Sequence, residues 1–472
     1  MTGPVVPLAS DVQGLVNRAM DRVAGGRAIP GNGVTLLFDG PQIFPEMLRR
    51  IAAARKWIHL DNYIIRDDAT GQLFADALCQ RAVEGIRVRV VADWFGSFTT
   101  SRRFWQRLRS AGVEVRLFGP PDVVRPLRNL TRDHRKLLVV DGEASVTGGF
   151  CLGDEWAGDP AKGRPPWRDT GVAIDGPAAA ALDQAFGAVW RRMGPPLAGD
   201  ELASDVPSRG DAAVRVVAGE PAGIRAARMT ELLLAGAAER VWLADAYLVA
   251  PRGIYRALLD AAREGVDVRL LVPGTSDLPH IRNLTRTGYR ELLHAGVRIF
   301  EWRGPMLHAK TIVADNRWVR IGSTNMNVSS LVANYELDVL IDDEEFANQM
   351  ESQFRRDLDQ SVEVWLKPAR IFREKLDFRE QDAPPLRRSR GLRERRRRTV
   401  VALRAVVGGS QRALFLQQSL GLTVLAALLL FFPRVMGAIF GGLTLYFGLT
   451  SLLELLRRLR IDRGPGEPAG RT

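Results

Sequence analysis

What most restricts this chain is that it repeats itself. HisArgLysLeuLeuValValAsp at 134–141 and HisAlaLysThrIleValAlaAsp at 308–315 share the pattern HxKxxxxD. The 472 residues contain only five histidines and six lysines beside sixty arginines, so two of each in one spacing is a specific signal. Gly148 and Gly149 follow the first histidine at the same distance as Gly322 and Ser323 follow the second, and Asn325 lies two residues beyond Ser323. The repeat extends into the scaffold. RAVEGIRVRVVAD (81–93) and REGVDVRLLVP (263–273) each run from a helical pattern into a β-branched strand, AlaGlyVal recurs at 111–113 and 295–297, and LeuAspAsnTyr (60–63) matches LeuAlaAspAlaTyr (243–247).

Strands alternating with helices, met twice, predict an α/β fold of two tandem units, each a mixed sheet flanked by helices and related by a pseudo-twofold axis. The expected layout is an N-terminal extension (1–35), a first unit (36–195), a Pro/Gly/Asp/Ser-rich linker (196–211) and a second unit (212–382). Each motif reads as a hairpin: LeuLeuValVal (137–140) and ThrIleValAla (311–314) are strands closed by Asp141-Gly142 and Asp315-Asn316. On an extended strand His and the Lys two positions later share a face, so imidazole and ammonium can meet one substrate group. Two such hairpins meeting across the pseudo-twofold axis would suit a phosphodiester, with Lys136 and Lys310 neutralising non-bridging oxygens while His134 and His308 divide nucleophilic attack and proton transfer. Each imidazole needs a carboxylate to set its tautomer, and Asp169 and Glu336 are the candidates. Asp141 and Asp315 fit hairpin turns better than substrate contact. His59, His280 and His294 read as structural.

Charge separates the chain into two parts. From Leu386 onward there are 16 Arg against four acids, which leaves 50 basic and 50 acidic residues before it. A neutral catalytic part argues against nucleic acid as partner. Beyond the polybasic segment (386–400), the uncharged run Val435–Leu453 would measure about 28 Å as a helix, enough to span a bilayer, and with the weaker Ala413–Phe432 it predicts a membrane hairpin (413–453) followed by a basic tail (454–472). Arginines on both flanks place the ends in the cytoplasm, and Met1–Met20 lacks the basic start and apolar run of a signal peptide. Two cysteines, Cys79 and Cys151, make no disulfide framework, and no metal or cofactor motif is present.

These residues resemble the phospholipase D superfamily, whose hallmark is two HxKxxxxD motifs each followed by Gly-Gly or Gly-Ser. Within it the chain is most similar to bacterial cardiolipin synthases, through RDHRKLLVVDG (132–142), GDEW (153–156), WRDT (167–170), IDGP (174–177), MLHAK (306–310) and GSTNM (322–326). The resemblance implies a metal-free phosphohistidine mechanism; together with the arginine flanks it leads to the expectation of a bacterial inner-membrane protein whose catalytic part faces the cytoplasm. One phosphatidylglycerol would donate its phosphatidyl group to another, giving cardiolipin and glycerol. It assigns catalysis to His134, Lys136, Asp141, His308, Lys310 and Asp315, with attack by His134 and proton transfer by His308. Supporting roles fall to Asp169, Glu336, Asn325, Ser323, Gly148, Gly149 and Gly322. Hydrolysis to phosphatidic acid, transfer involving phosphatidylethanolamine, a nuclease and a membrane scaffold with a decayed site are the alternatives; the acceptor, the oligomeric state and which histidine attacks first stay open. The chain departs from the family pattern at Cys151, where the first repeat usually has Asn, at Asn327-Val328, and in a membrane hairpin at the C-terminal rather than the N-terminal end.

Overall fold

The structure, a computed structural model, describes residues 9–122, 131–367 and 375–379. The polybasic segment, the membrane hairpin and the basic tail lie outside the described residues. Among those described, no helix is long and apolar enough to cross a membrane.

The first half contributes β1 (Ile29–Phe38), β2 (Trp57–Asn62), β3 (Arg87–Asp93), β4 (Glu114–Phe118), β5 (Lys136–Val140), β6 (Ala144–Gly148) and β7 (Thr170–Asp175). The second contributes β8 (Ala212–Gly219), β9 (Arg240–Asp245), β10 (Asp267–Pro273), β11 (Arg298–Trp302), β12 (Lys310–Ala314), β13 (Trp318–Gly322), β14 (Glu336–Asp342), β15 (Ser361–Lys367) and β16 (Lys375–Arg379). Outward from the centre, one side runs β1-β7-β6-β5-β2-β3-β4 and the other β8-β14-β13-β12-β9-β10-β11, extended by β15 and β16. The same order is thus written twice, with parallel pairing in β2-β3-β4 and β9-β10-β11 and antiparallel pairing elsewhere.

The two halves are one sheet, because β1 pairs antiparallel with β8 through Ile29–Val214 and Asn32–Ala212. Residues 29–35, at the end of the expected extension, form the first part of β1 (Ile29–Phe38), the strand that joins the halves. Helix Ala9–Ala24 likewise buries Val16, Met20 and Val23 against Val217, Met229 and Leu233 of the second half. Its apolar face can be covered only by a partner distant in sequence, which no local pattern names. The stretch read as a linker is also folded down. Glu201 is buried and takes two hydrogen bonds from Arg89, while the buried His59 Nδ1 lies 2.6 Å from Asp183 and its Nε2 3.6 Å from Glu201. Burial opposes charge on His59, but the two carboxylates outweigh it and raise its pKa.

Alternation along the strands sorts the apolar side chains into layers. Leu138 and Val140 face the outer core of the first half, Ile312 and Ala314 that of the second, while Leu137, Val139, Val313, Val319 and Ile321 fill a third core shared by both halves. Helices Pro177–Trp190 and Glu344–Asp359 supply Phe186 and Phe354 to that shared layer. Packing of this kind fixes the halves against each other, so the strand ends carrying the two motifs are held in register.

Candidate active site

Both motifs form the hairpins expected of them. β5 turns into β6 and β12 into β13 through residues with positive φ, Asp141 (55°) with Gly142 (70°) and Asp315 (50°) with Asn316 (54°). The turn aspartates stand at the strand ends away from the histidines. Asp141 accepts the backbone N–H groups of Arg55, Lys56 and Trp57 at 2.7–2.9 Å. Asp315 does the same for Ala238, Glu239 and Arg240 at 2.6–2.9 Å. Each aspartate therefore ties its hairpin to the start of the neighbouring strand, at the end away from the motif histidine. Asp141→Ala is expected to cost about 1–3 kcal/mol of stability, lowering the thermal midpoint by several degrees, with kcat per folded molecule nearly unchanged. A large loss of kcat at unchanged midpoint would instead put Asp141 on the substrate.

At the other strand ends the halves exchange carboxylates. His134 Nδ1 lies 3.0 Å from Glu336 Oε2, and His308 Nδ1 lies 2.7 Å from Asp169 Oδ2. Each imidazole is thus oriented by a carboxylate of the opposite half. The backbone enforces this exchange twice over. His134 N–H donates to Tyr335 O and Tyr335 N–H to Arg132 O, at 2.9 and 2.8 Å, just ahead of Glu336. Arg168 N–H donates to Met306 O and His308 N–H to Arg168 O, at 2.9 and 2.7 Å, just ahead of Asp169. Short parallel bridges, Asp133 with Tyr335 and Arg168 with Leu307, result. With Nδ1 of each ring engaged by a carboxylate, Nε2 is the nitrogen turned toward substrate, that of His308 with Lys310 Nζ 3.1 Å away.

The remaining candidates surround these pairs. Ser323 donates its hydroxyl to Glu336 Oε2 at 2.5 Å, and Asn334 Nδ2 approaches Oε1 at 3.4 Å. Asp169 accepts from Trp156 Nε1 at 3.1 Å and from the Thr170 N–H at 2.8 Å. Gly149 and Gly322 are required by close approach: a Cβ at Gly149 would overlap Asp169 Oδ1, and one at Gly322 would overlap Asp338 Oδ1. Gly148 precedes them at the end of β6, against Thr170 O. Asn325 is buried, its Nδ2 3.5 Å from Ser330 Oγ and its Oδ1 without a hydrogen-bond partner among the described residues. Cys151 is buried at the matching place in the first half, so only one half offers an amide there.

Lys136 and Lys310 are buried, each bonded to the carbonyl of its own motif histidine. Lys310 Nζ also lies 2.8 and 3.1 Å from the His308 ring nitrogens. Burial and the adjacent Lys310 push His308 down to about 3, and burial lowers His134 too, with Lys136 and Lys310 adding to it. Both rings are neutral at pH 7. Burial, with Lys136 nearby, brings Lys310 down to about 8, although Asp169 opposes it. Burial would raise the two carboxylates, but His308 and Lys310 hold Asp169 low, and His134 and Lys136 hold Glu336 low. Each lysine acts on the other half's histidine, which makes the four groups one electrostatic site.

Aromatic rings that the motif spacing does not identify complete the walls. Tyr63 meets the His134 ring edge-on at 4.8 Å, while Trp156, Trp167 and Tyr247 lie 5.3, 5.6 and 6.0 Å from the His308 ring. The repeated LeuAspAsnTyr segment and the GDEW and WRDT motifs carried these residues in plain sight, without saying which histidine they face.

The chain matches the family described as cardiolipin synthase, PLD-like domain, over residues 47–157 and 232–358. It is 32% identical over 366 residues to cardiolipin synthase 1 of Bacillus cereus, covering 74% of this chain and 71% of that protein. It is 34% identical over 356 residues to cardiolipin synthase A of Pseudomonas aeruginosa, covering 73% and 71%. Among solved structures, phosphatidylserine synthase of Haemophilus influenzae shares the fold, with a TM-score of 0.58 at 14% identity over 74% of this chain and 91% of that one. With a family match in each half and relatives of this similarity spanning both, the chain belongs to the cardiolipin synthase family of phospholipase D-like proteins.

Proposed function

We propose that this protein is a cardiolipin synthase, a phosphatidyltransferase that moves a phosphatidyl group from one phosphatidylglycerol to another and releases glycerol. The observation that carries the reading is the pair of neutral imidazoles, each with Nδ1 on a carboxylate of the other half and each beside a buried lysine. The relatives named cardiolipin synthase support the choice of substrate.

In this mechanism Glu336 holds the proton of His134 on Nδ1, so Nε2 presents its lone pair to phosphorus. A P–N bond forms, the P–O bond to glycerol breaks, and His308 gives its Nε2 proton to the leaving oxygen. His308 gains that proton when the anionic phosphodiester enters, because the substrate's negative charge offsets the two lysines that otherwise hold the ring neutral. The second phosphatidylglycerol then loses its hydroxyl proton to His308 and attacks phosphorus, the P–N bond breaks, and His134 returns to its starting state. Lys136 and Lys310 stabilise the charge on the non-bridging oxygens throughout. Asn325, Ser323 and the three glycines position phosphate and carboxylates.

The two halves act as tandem units about a pseudo-twofold axis between β1 and β8. The polybasic segment 386–400, at about 1 kcal/mol per basic side chain near anionic lipid, and the hairpin 413–453 hold the catalytic part on the cytoplasmic face of a bacterial inner membrane.

Purified protein given phosphatidylglycerol in EDTA is expected to form cardiolipin and glycerol. Absence of both overturns the reading, and phosphatidic acid in place of cardiolipin makes the protein a hydrolase. The pH profile is a second expectation. The Lys310 ammonium is present below about pH 8 and lost above it, so kcat/KM falls as pH rises through that value. Lys310→Arg keeps its charge and shifts this limb upward. A wild-type profile flat to about pH 10 would remove Lys310 from substrate binding.

A further inference from the structure

Five of the large apolar side chains that the fold leaves in water lie on segments leaving the site-side ends of β3, β10 and β13. Phe95 and Phe98 are 55% and 65% exposed on the loop that follows β3, while Leu278, Leu284 and Val328 are 47%, 49% and 52% exposed on segments that follow β10 and β13. Contacts tie both groups to the catalytic histidines. The Arg132 guanidinium, two residues before His134, lies 5.2 Å over the Phe95 ring. The buried Asp93 accepts the N–H groups of Phe95 and Gly96 and, at 2.9 Å, that of Asp133, the residue before His134. On the other side, Tyr247, whose ring faces His308, donates its hydroxyl to Asp277 at 2.9 Å, next to Leu278, and accepts at its carbonyl from Asn327 Nδ2, next to Val328.

These side chains are held outward on anchored backbone. Ser97 N–H donates to Asp93 O, and Ser97 Oγ accepts from the Ile65 N–H, so Phe95 and Phe98 project from a fixed loop. The lip segments themselves are cationic, with Asp277, bonded by Tyr247, as the acid beside Leu278. Neither Trp94–Val113 nor Leu278–Arg290 contains an Asp or Glu. Arg102, Arg103 and Arg252 are exposed and form no ion pair among the described residues. Apolar tips flanked by cations, on either side of a phosphodiester site, fit an anionic bilayer surface.

We propose that the two lips, Phe95-Phe98 and Leu278-Leu284-Val328, insert into the interface of an anionic bilayer and seat the site mouth against the headgroups. The inference rests on the phospholipid reading above. It adds a second membrane contact, made by the catalytic part itself. A headgroup then reaches His134 and His308 without its lipid leaving the bilayer.

Two measurements on the full chain test this. In vesicles of phosphatidylglycerol and phosphatidylethanolamine with acyl-brominated lipid, Phe98→Trp should add fluorescence that bromine quenches relative to wild type. Unquenched added fluorescence overturns the proposal, as does disulfide or photochemical capture of a second copy through position 98, which would make the lips a homodimer contact. The double variants Phe95→Ser/Phe98→Ser and Leu278→Ser/Leu284→Ser should lose about tenfold in transfer on bilayer phosphatidylglycerol and keep wild-type rates on monomeric dihexanoyl-phosphatidylglycerol. Equal loss on both substrates, or loss on neither, overturns it. If wild type turns over neither lipid, the phosphatidyl-transfer reading fails, and quenching at position 98 still decides the docking.

Discussion

His308→Asn is expected to separate the two halves of the reaction when the leaving group is changed. With phosphatidylglycerol, both His134→Asn and His308→Asn should lose at least about 10⁴-fold in turnover, because one removes the nucleophile and the other leaves glycerol to depart as an unprotonated alkoxide. A nitrophenyl ester of phosphatidic acid needs no such proton. On it, His308→Asn should release a burst of nitrophenolate stoichiometric with protein and then stall, since nothing deprotonates the acceptor. His134→Asn should give no burst. Mass spectrometry of the stalled protein should find the phosphatidyl group on His134. A burst from His134→Asn with the adduct on His308 would exchange the two roles, and a burst from neither variant would remove the covalent intermediate.

Asp169→Asn and Glu336→Gln should each lower kcat by about 10³–10⁴-fold with little change in fold, because an amide keeps the shape but not the charge that fixes the imidazole tautomer. The crossed pairing makes the two variants differ in a defined way. Glu336 orients His134, so Glu336→Gln should lose the nitrophenolate burst although the change lies in the second half of the chain. Asp169 orients His308, so Asp169→Asn should keep the burst and fail on phosphatidylglycerol although the change lies in the first. Thermal midpoints distinguish lost chemistry from lost folding. If each carboxylate instead produced the phenotype of the histidine in its own half, the exchange of partners across the sheet would be wrong in solution.

Cys151 bears on whether the site is intact. It removes an amide from the first half, yet both histidine–lysine–carboxylate sets are complete around it and Asn325 remains in the second. That completeness favours an enzyme over a decayed scaffold, since an unused site has no reason to keep six buried ionisable groups mutually compensated.

The local features of the site were legible in the sequence because they depend on neighbours a few residues away. Strand alternation put His134 with Lys136 and His308 with Lys310 on common faces, and Asp-Gly and Asp-Asn marked the hairpin turns that Asp141 and Asp315 then brace. Asp169 and Glu336 could be nominated as carboxylates but not matched to an imidazole. Only the packed sheet decided that each crosses to the other half, over 139 and 202 residues of chain. The same holds for β1 joining the halves, for the N-terminal helix lying on the second half's core, and for Tyr63, Trp156 and Trp167 around the rings. Strand period and turn chemistry are set by covalent neighbours, whereas the partner of a buried carboxylate is set by which surfaces exclude water together. That choice is made by the whole chain at once, and no short stretch of residues records it.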